Sequence, residues 1–103
     1  MAVRLEWSPQ AREDLLDIYV SIGIENAAAA ERYFDRIEAR TSLLSDQPRL
    51  GVRRPDIRAS VRILVEFPYV ILYETHPDTD DGPVHVIVIV RVVHGRRDLS
   101  ALF

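Results

Sequence analysis

The sequence predicts an α+β domain. One strand leads into an antiparallel helical hairpin, and a three-stranded antiparallel meander follows, in the order β-α-α-β-β-β. Three observations carry that expectation. Apolar residues recur at helical spacing across positions 9–44, in two blocks divided by Gly23 and Asn26. From Val61 onward they gather instead into short runs rich in valine and isoleucine, separated by Pro68 and a polar stretch at 76–83. A length of 103 residues, 48% of them apolar, suits a single domain with a modest core spanning residues 1–103.

Each element has its own signal. Val3-Arg4-Leu5-Glu6-Trp7 alternates apolar and polar, as a half-buried strand does. Ser8 and Pro9 read as a helix N-cap followed by proline at the first helical position. Ala11, Leu15, Ile18, Tyr19 and Ile22 then form one apolar stripe, with Arg12, Glu13, Asp14 and Asp17 mostly off it. Gly23 is the expected stop. Asn26 is the expected N-cap of a second helix, whose stripe is Ala30, Tyr33, Phe34, Ile37, Thr41 and Leu44. Pro48 ends that block, and the link between the helices is short enough to make them an antiparallel pair. Residues 48–56 read as a loop, 61–67 and 69–73 as strands around a Pro68 turn, and 76–83 as a long hairpin loop. The run 84–93 is nearly continuous in valine and isoleucine, which suits a central strand covered on both faces. The last ten residues form a tail with room for a turn of helix.

Charge is unevenly laid out. The net charge of −3 divides into −4 over residues 1–46, +3 over 47–66, −4 over 67–90 and +2 over 91–103. A domain that lives on a nucleic-acid backbone is normally basic overall, and this one is acidic. All thirteen basic residues are arginine, which suits bidentate recognition of carboxylate or phosphate; arginine-favouring codon usage would give the same bias. No cysteine is present, which rules out disulfides and thiolate metal sites and is consistent with a reducing cytoplasm. The three histidines lack metal-ligand spacing, so neither a metal nor a cofactor is expected. The opening residues lack the apolar core of a signal peptide, and no apolar run approaches the ~20 residues of a membrane span.

Trp7-Ser8-Pro9-x-Ala11-x-x-Asp14-Leu15-x-x-Ile18 is similar to the first helix of ParE and RelE-type toxins. Asn26-x-x-Ala29-Ala30 resembles the entry to their second helix, and Leu43-x-x-x-x-Pro48-x-x-Gly51 the exit from it. Arg62 with Tyr69-x-x-x-Tyr73 looks like the central hairpin, and Val90-x-x-Val93-x-Gly95-Arg96-Arg97-Asp98 like the ending of ParE-like members. The joint order and spacing over almost the whole chain carry the resemblance. It implies a RelE/ParE-like fold and a ParD-like antitoxin partner encoded alongside. That antitoxin would hold operator DNA through its own ribbon-helix-helix domain, so this chain would meet DNA only indirectly. It also implies one of two targets: DNA gyrase, as for ParE toxins, or mRNA on the ribosome, as for RelE toxins.

RNA cleavage by the 2′-hydroxyl needs a general base, a general acid and positive charge beside the phosphate. Arg62 and Arg91 could supply charge and His94 the proton transfer. Yet the chain has no lysine and no tyrosine after Tyr73, so that set reads as incomplete. The expectation is therefore a non-catalytic gyrase inhibitor. A RelE-type endoribonuclease is the first alternative, and a non-toxic antitoxin partner or co-repressor the second. Arg91, His94, Arg96 and Arg97, in the basic tail, are the candidates for target contact. Arg49, Arg53, Arg54, Arg58 and Arg62 are the candidates for receiving acidic antitoxin side chains.

Overall fold

The computed structural model describes residues 3–103. Strand β1 (Arg4–Trp7) leads into helices α1 (Pro9–Glu25) and α2 (Ala27–Ser42), the latter extended by a 3-10 turn at Leu43–Ser45. Strands β2 (Val52–Arg53), β3 (Arg62–Glu66), β4 (Tyr69–His76) and β5 (Val86–His94) follow, and a 3-10 turn at Leu99–Leu102 ends the chain. The five strands form one sheet in the order β1-β5-β4-β3-β2. Strands β2 to β5 pair antiparallel, as the meander requires. β1 runs parallel to β5, from Arg4 opposite Val86 to Trp7 opposite Ile89, so the sheet is mixed rather than purely antiparallel. Among the described residues no helix is long and apolar enough to cross a membrane.

Ser8 joins strand to helix. Its backbone N–H donates to the Ile89 carbonyl at 2.9 Å, its Oγ accepts from the Ala11 N–H at 3.0 Å, and its hydroxyl donates to the Val90 carbonyl at 2.9 Å. One side chain thus caps α1 and continues the β1–β5 seam past the end of β1. Helix α1 does not stop at Gly23. A glycine inside a helix costs only about 1 kcal/mol, and Asn26 offers a better stop two residues beyond the Ile24 position. The Asn26 N–H donates to the Ile22 carbonyl at 2.8 Å, and its side chain accepts from the Ala29 N–H at 3.0 Å. One residue therefore ends α1 and starts α2.

The hairpin covers one face of the sheet. Ala11 of α1, Ile37 of α2 and Leu44 meet Leu64, Ile71, Tyr73, Ile87, Ile89 and Val92 in the main core. The second face has its own cluster, in which Ile57, Val61, Val70, Leu72 and Val93 are covered in part by Leu99 and Leu102 of the tail. A register shift opposite Leu72 and Tyr73 gives β5 an extra residue: Leu72 faces Arg91, while Tyr73 faces Ile89. Successive side chains in a strand alternate between faces, so an unbroken β5 would send Ile89 and Val92 to opposite sides. The bulge restores both to the helical face.

The expected loop at 48–56 contains the two-residue strand β2. It is held by Tyr73, whose buried hydroxyl accepts from the Gly51 N–H at 2.8 Å and donates to the Pro48 carbonyl at 2.9 Å. A Cβ at position 51 would lie 2.6 Å from Tyr73 Cε1 and 2.7 Å from the Ile63 carbonyl, so the approach requires glycine.

Candidate partner-binding surfaces

Asp14 is 8% exposed and sits where α1 crosses the edge of β5. Arg91 grips it with both arms, Nε to Oδ2 at 2.7 Å and Nη2 to Oδ1 at 2.9 Å. The Val92 N–H adds a third bond at 3.0 Å and Gln10 a fourth at 3.2 Å. Burial by itself would raise the carboxyl pKa. The bonds from Arg91, Val92 and Gln10, with the guanidinium charge, outweigh burial and hold it below the ordinary carboxylate value. Arg91 is thus committed to a buried ion pair, and its guanidinium is bonded inward.

The other two members of the nuclease set lie apart from it. Arg62 faces Tyr73 across β3 and β4, whereas Arg91 faces Leu72. With β4 between their strands, the Arg91 guanidinium turns to Asp14 of α1 and that of Arg62 to the Gly51 carbonyl beside β2. Arg62 is 6% exposed; its Nη1 donates to the Gly51 carbonyl at 3.0 Å, and its Nε has no partner among the described residues. His94 opposes Tyr69 at the far end of β5. Its Nδ1 accepts from the Arg96 N–H at 3.1 Å, and its ring meets Tyr69 edge-on at 5.8 Å. It ends β5 and caps the turn that follows. Arg62, Arg91 and His94 therefore do not converge on one phosphate.

His94 and Arg97 instead line a shallow groove with Asp17, Ser21 and Tyr69. On its other side His94 borders a second groove, with Arg96, Val65 and Phe67, the last 81% exposed at the β3–β4 turn. Arg96 and Arg97 are exposed. The basic tail and an aromatic knob thus share one end of the sheet.

The arginines of the 49–62 segment are largely answered from within the chain. Arg49 donates to the Thr79 carbonyl at 3.0 Å and the Gly82 carbonyl at 2.9 Å. Arg53 pairs with Asp78 at 2.9 Å and Asp80 at 3.0 Å, which push its pKa further up, with the Asp80 bond foremost. Arg54 pairs with Asp56 at 2.8 Å, and Arg58 stacks over the Phe103 ring at 4.9 Å. The +3 block of the sequence folds against its −4 neighbour, and the patch legible in the chain is mostly spent on the β4–β5 loop.

Sequence reasoning missed two features. Asp14 lies three residues after Ala11 and four before Ile18, so it belongs to the inward stripe. That spacing was the available signal. α1 also carries a second apolar row, Leu16, Val20 and Ile24, exposed at 60%, 50% and 80%. Their i, i+4, i+8 spacing places them on one line away from the core.

The family model described as ParE toxin of the type II toxin–antitoxin system parDE matches residues 5–99. Toxin ParE3 of Caulobacter vibrioides is 32% identical over 85 residues, which cover 82% of this chain and 75% of that protein. Two solved structures share the fold at 22% identity. One, from the chromosomal ParDE system of P. aeruginosa, has a TM-score of 0.70 and covers 89% of this chain and 95% of its own. The other, from the RelBE2 toxin–antitoxin complex of Mycobacterium tuberculosis, has a TM-score of 0.62 and covers 91% and 99%. With Ser8 and Asp14 holding the hairpin to the sheet, Asn26 joining its two helices and the family match spanning nearly every element, the chain belongs to the ParE toxin family of type II toxin–antitoxin systems.

Proposed function

We propose that the chain is a cytoplasmic toxin that a ParD-like antitoxin neutralises and that binds DNA gyrase without chemistry of its own. One observation carries the choice between targets. The two arginines that an RNA-cleaving site would need are each held elsewhere, Arg91 closed on Asp14 of α1 and Arg62 buried against the Gly51 carbonyl. A general base and a charged clamp must reach one reacting phosphate to be useful. A protein inhibitor needs only a surface, and His94, Arg96, Arg97 and Phe67 supply an exposed one. Arg91 contributes to it by fixing the end of β5 through Asp14. In this reading operator DNA is contacted by the antitoxin, and Arg58 is the member of the 49–62 set best placed to meet an acidic partner.

A RelE-type endoribonuclease is the second reading, favoured by the likeness in fold to the RelBE2 toxin. Paired assays on purified protein separate the two. Arg96→Glu with Arg97→Glu should weaken inhibition of gyrase at least ten-fold while antitoxin binding holds. Mapped RNA ends from a translation extract should match those without toxin. Toxin-dependent RNA ends that vanish with His94→Ala would establish the nuclease instead.

A further inference from the structure

Two arginines stand directly opposite one another where β2 meets β3, Arg53 paired with Arg62 in the ladder. Directly opposed side chains share a face with Cβ atoms only about 5 Å apart, and like charges so placed repel. An anion between them relieves that repulsion. Arg62 gains most from one, because its side chain is 8% exposed and its Nη1 bond goes to a neutral acceptor, the Gly51 carbonyl. Its Nε has no partner among the described residues, and its Nη2 comes no nearer to a carboxylate than 3.8 Å, at Asp80 Oδ1. A nitrogen-to-oxygen hydrogen bond spans roughly 2.7–3.2 Å, so this is a contact of charges without a bond. A nearly buried guanidinium with most of its donors idle is a costly arrangement that calls for a further acceptor.

We propose that Arg53 and Arg62 form a binding site for a phosphate dianion, in which the Asp80 carboxylate is a displaceable stand-in for the ligand. Asp80 serves the pair poorly. Its Oδ1 accepts from Arg53 Nε at 3.0 Å and falls short of Arg62. A phosphate presents oxygens on every side and carries twice the charge, so it can accept from Arg53 Nε and Arg62 Nη2 together. Displacing Asp80 costs little. Its side chain is 86% exposed, and an exposed ion pair contributes little stability. The loop around it stays anchored without that contact: Arg49 donates to the Thr79 and Gly82 carbonyls, and Arg53 Nη1 holds Asp78 at 2.9 Å.

With Asp80 turned away, Asp78 is the one carboxylate still paired to Arg49, Arg53 or Arg62 among the described residues. Asp81, the next acid of the loop, makes no ion pair with any of the three. Arg54 is taken by Asp56 and lends the site nothing. The local balance therefore favours an incoming anion. The site shares no residue with the Arg91–Asp14 junction or with the exposed Arg96 and Arg97, so it stands apart from the choice of toxin target. Free inorganic phosphate and the terminal phosphate of an oligonucleotide present the same dianion, and the test separates the two sources.

The test titrates the full-length chain with inorganic phosphate, and in parallel with acetate at matched ionic strength, while NMR follows the arginine Nε–Hε signals. Phosphate should shift the Arg53 and Arg62 signals to saturation, and acetate should not. Asp80→Asn should tighten phosphate binding about ten-fold, a gain that a merely structural role for Asp80 does not predict. Arg53→Gln should abolish saturation with circular dichroism unchanged. Arg62→Gln should abolish it too, and where that variant fails to fold, Arg53→Gln decides. An oligothymidine with a 5′-phosphate is then compared with its 5′-hydroxyl twin. Tighter binding of the phosphorylated end than of inorganic phosphate assigns the ligand to a nucleic-acid terminus, and equal or weaker binding assigns it to free phosphate; either result upholds the site. No saturable shift with phosphate, an equal response to acetate, binding indifferent to Arg53→Gln, or binding weakened by Asp80→Asn would each overturn the proposal.

Discussion

Removing the Asp14 carboxylate leaves a guanidinium and the Val92 N–H without their acceptor at a nearly closed junction. Breaking one side of such a pair is far costlier than the pair is worth, because a buried charge stays behind. Asp14→Ala should therefore destabilise the chain by about 3 kcal/mol and lower Tm by more than about 10 °C. Adding Arg91→Leu to it should recover much of the loss. The folded carboxyl titrates below its ordinary value of 3.8. Its contribution is thus complete at neutral pH, where both states are ionised, and drains away as pH falls through the lowered value. The gap between wild type and Asp14→Ala should shrink between pH 7 and pH 3 in denaturant titrations. A gap that stayed constant would remove the ion pair from the account. Asp14 was legible as a helix residue but not as a buried one, because an acid in the first turns of a helix also suits solvent and the helix dipole. Only the partner 77 residues away, Arg91, distinguishes the two.

Elements announced by punctuation were the readable ones. Ser8-Pro9 and Asn26 gave the starts of both helices, since each cap is a local bond between neighbours in the chain. Elements set by distant pairing were not. The parallel β1–β5 seam and the two-residue β2 depend on where other strands lie. The bulge in β5 hides in a run so apolar that a period of two assigns no face. β2 shows the dependence most sharply, because it exists where Gly51 lets the Tyr73 ring and hydroxyl against the backbone. Gly51→Ala forces either the Tyr73 ring or the Ile63 carbonyl to move. The expected cost is about 1–3 kcal/mol, read as a drop in denaturation midpoint with faster amide exchange at Val52 and Arg53. Unchanged stability would mean that this packing is looser than its geometry.

Across the whole molecule, charge was the signal most easily misjudged. The sequence showed which blocks were basic, and the fold shows that Arg49, Arg53 and Arg54 spend themselves on the chain's own carbonyls and carboxylates. Exposed pairs of this kind add little stability, typically ~0–1 kcal/mol, so Arg53→Ala should alter the denaturation midpoint only slightly. The consequence lies in what remains free. Arg96 and Arg97 stand open beside Phe67 at one end of the sheet, and an acidic, apolar-ridged α1 stands open on the hairpin. Helix starts and family membership were readable from the chain, whereas the fifth strand and which charges stay unpaired required the fold. The most direct measurement is a gyrase supercoiling assay with graded purified toxin, run with and without the antitoxin. The account predicts dose-dependent loss of supercoiling that the antitoxin restores. Full supercoiling at every toxin concentration, with growth arrest intact in cells, would contradict it and move the target to the ribosome.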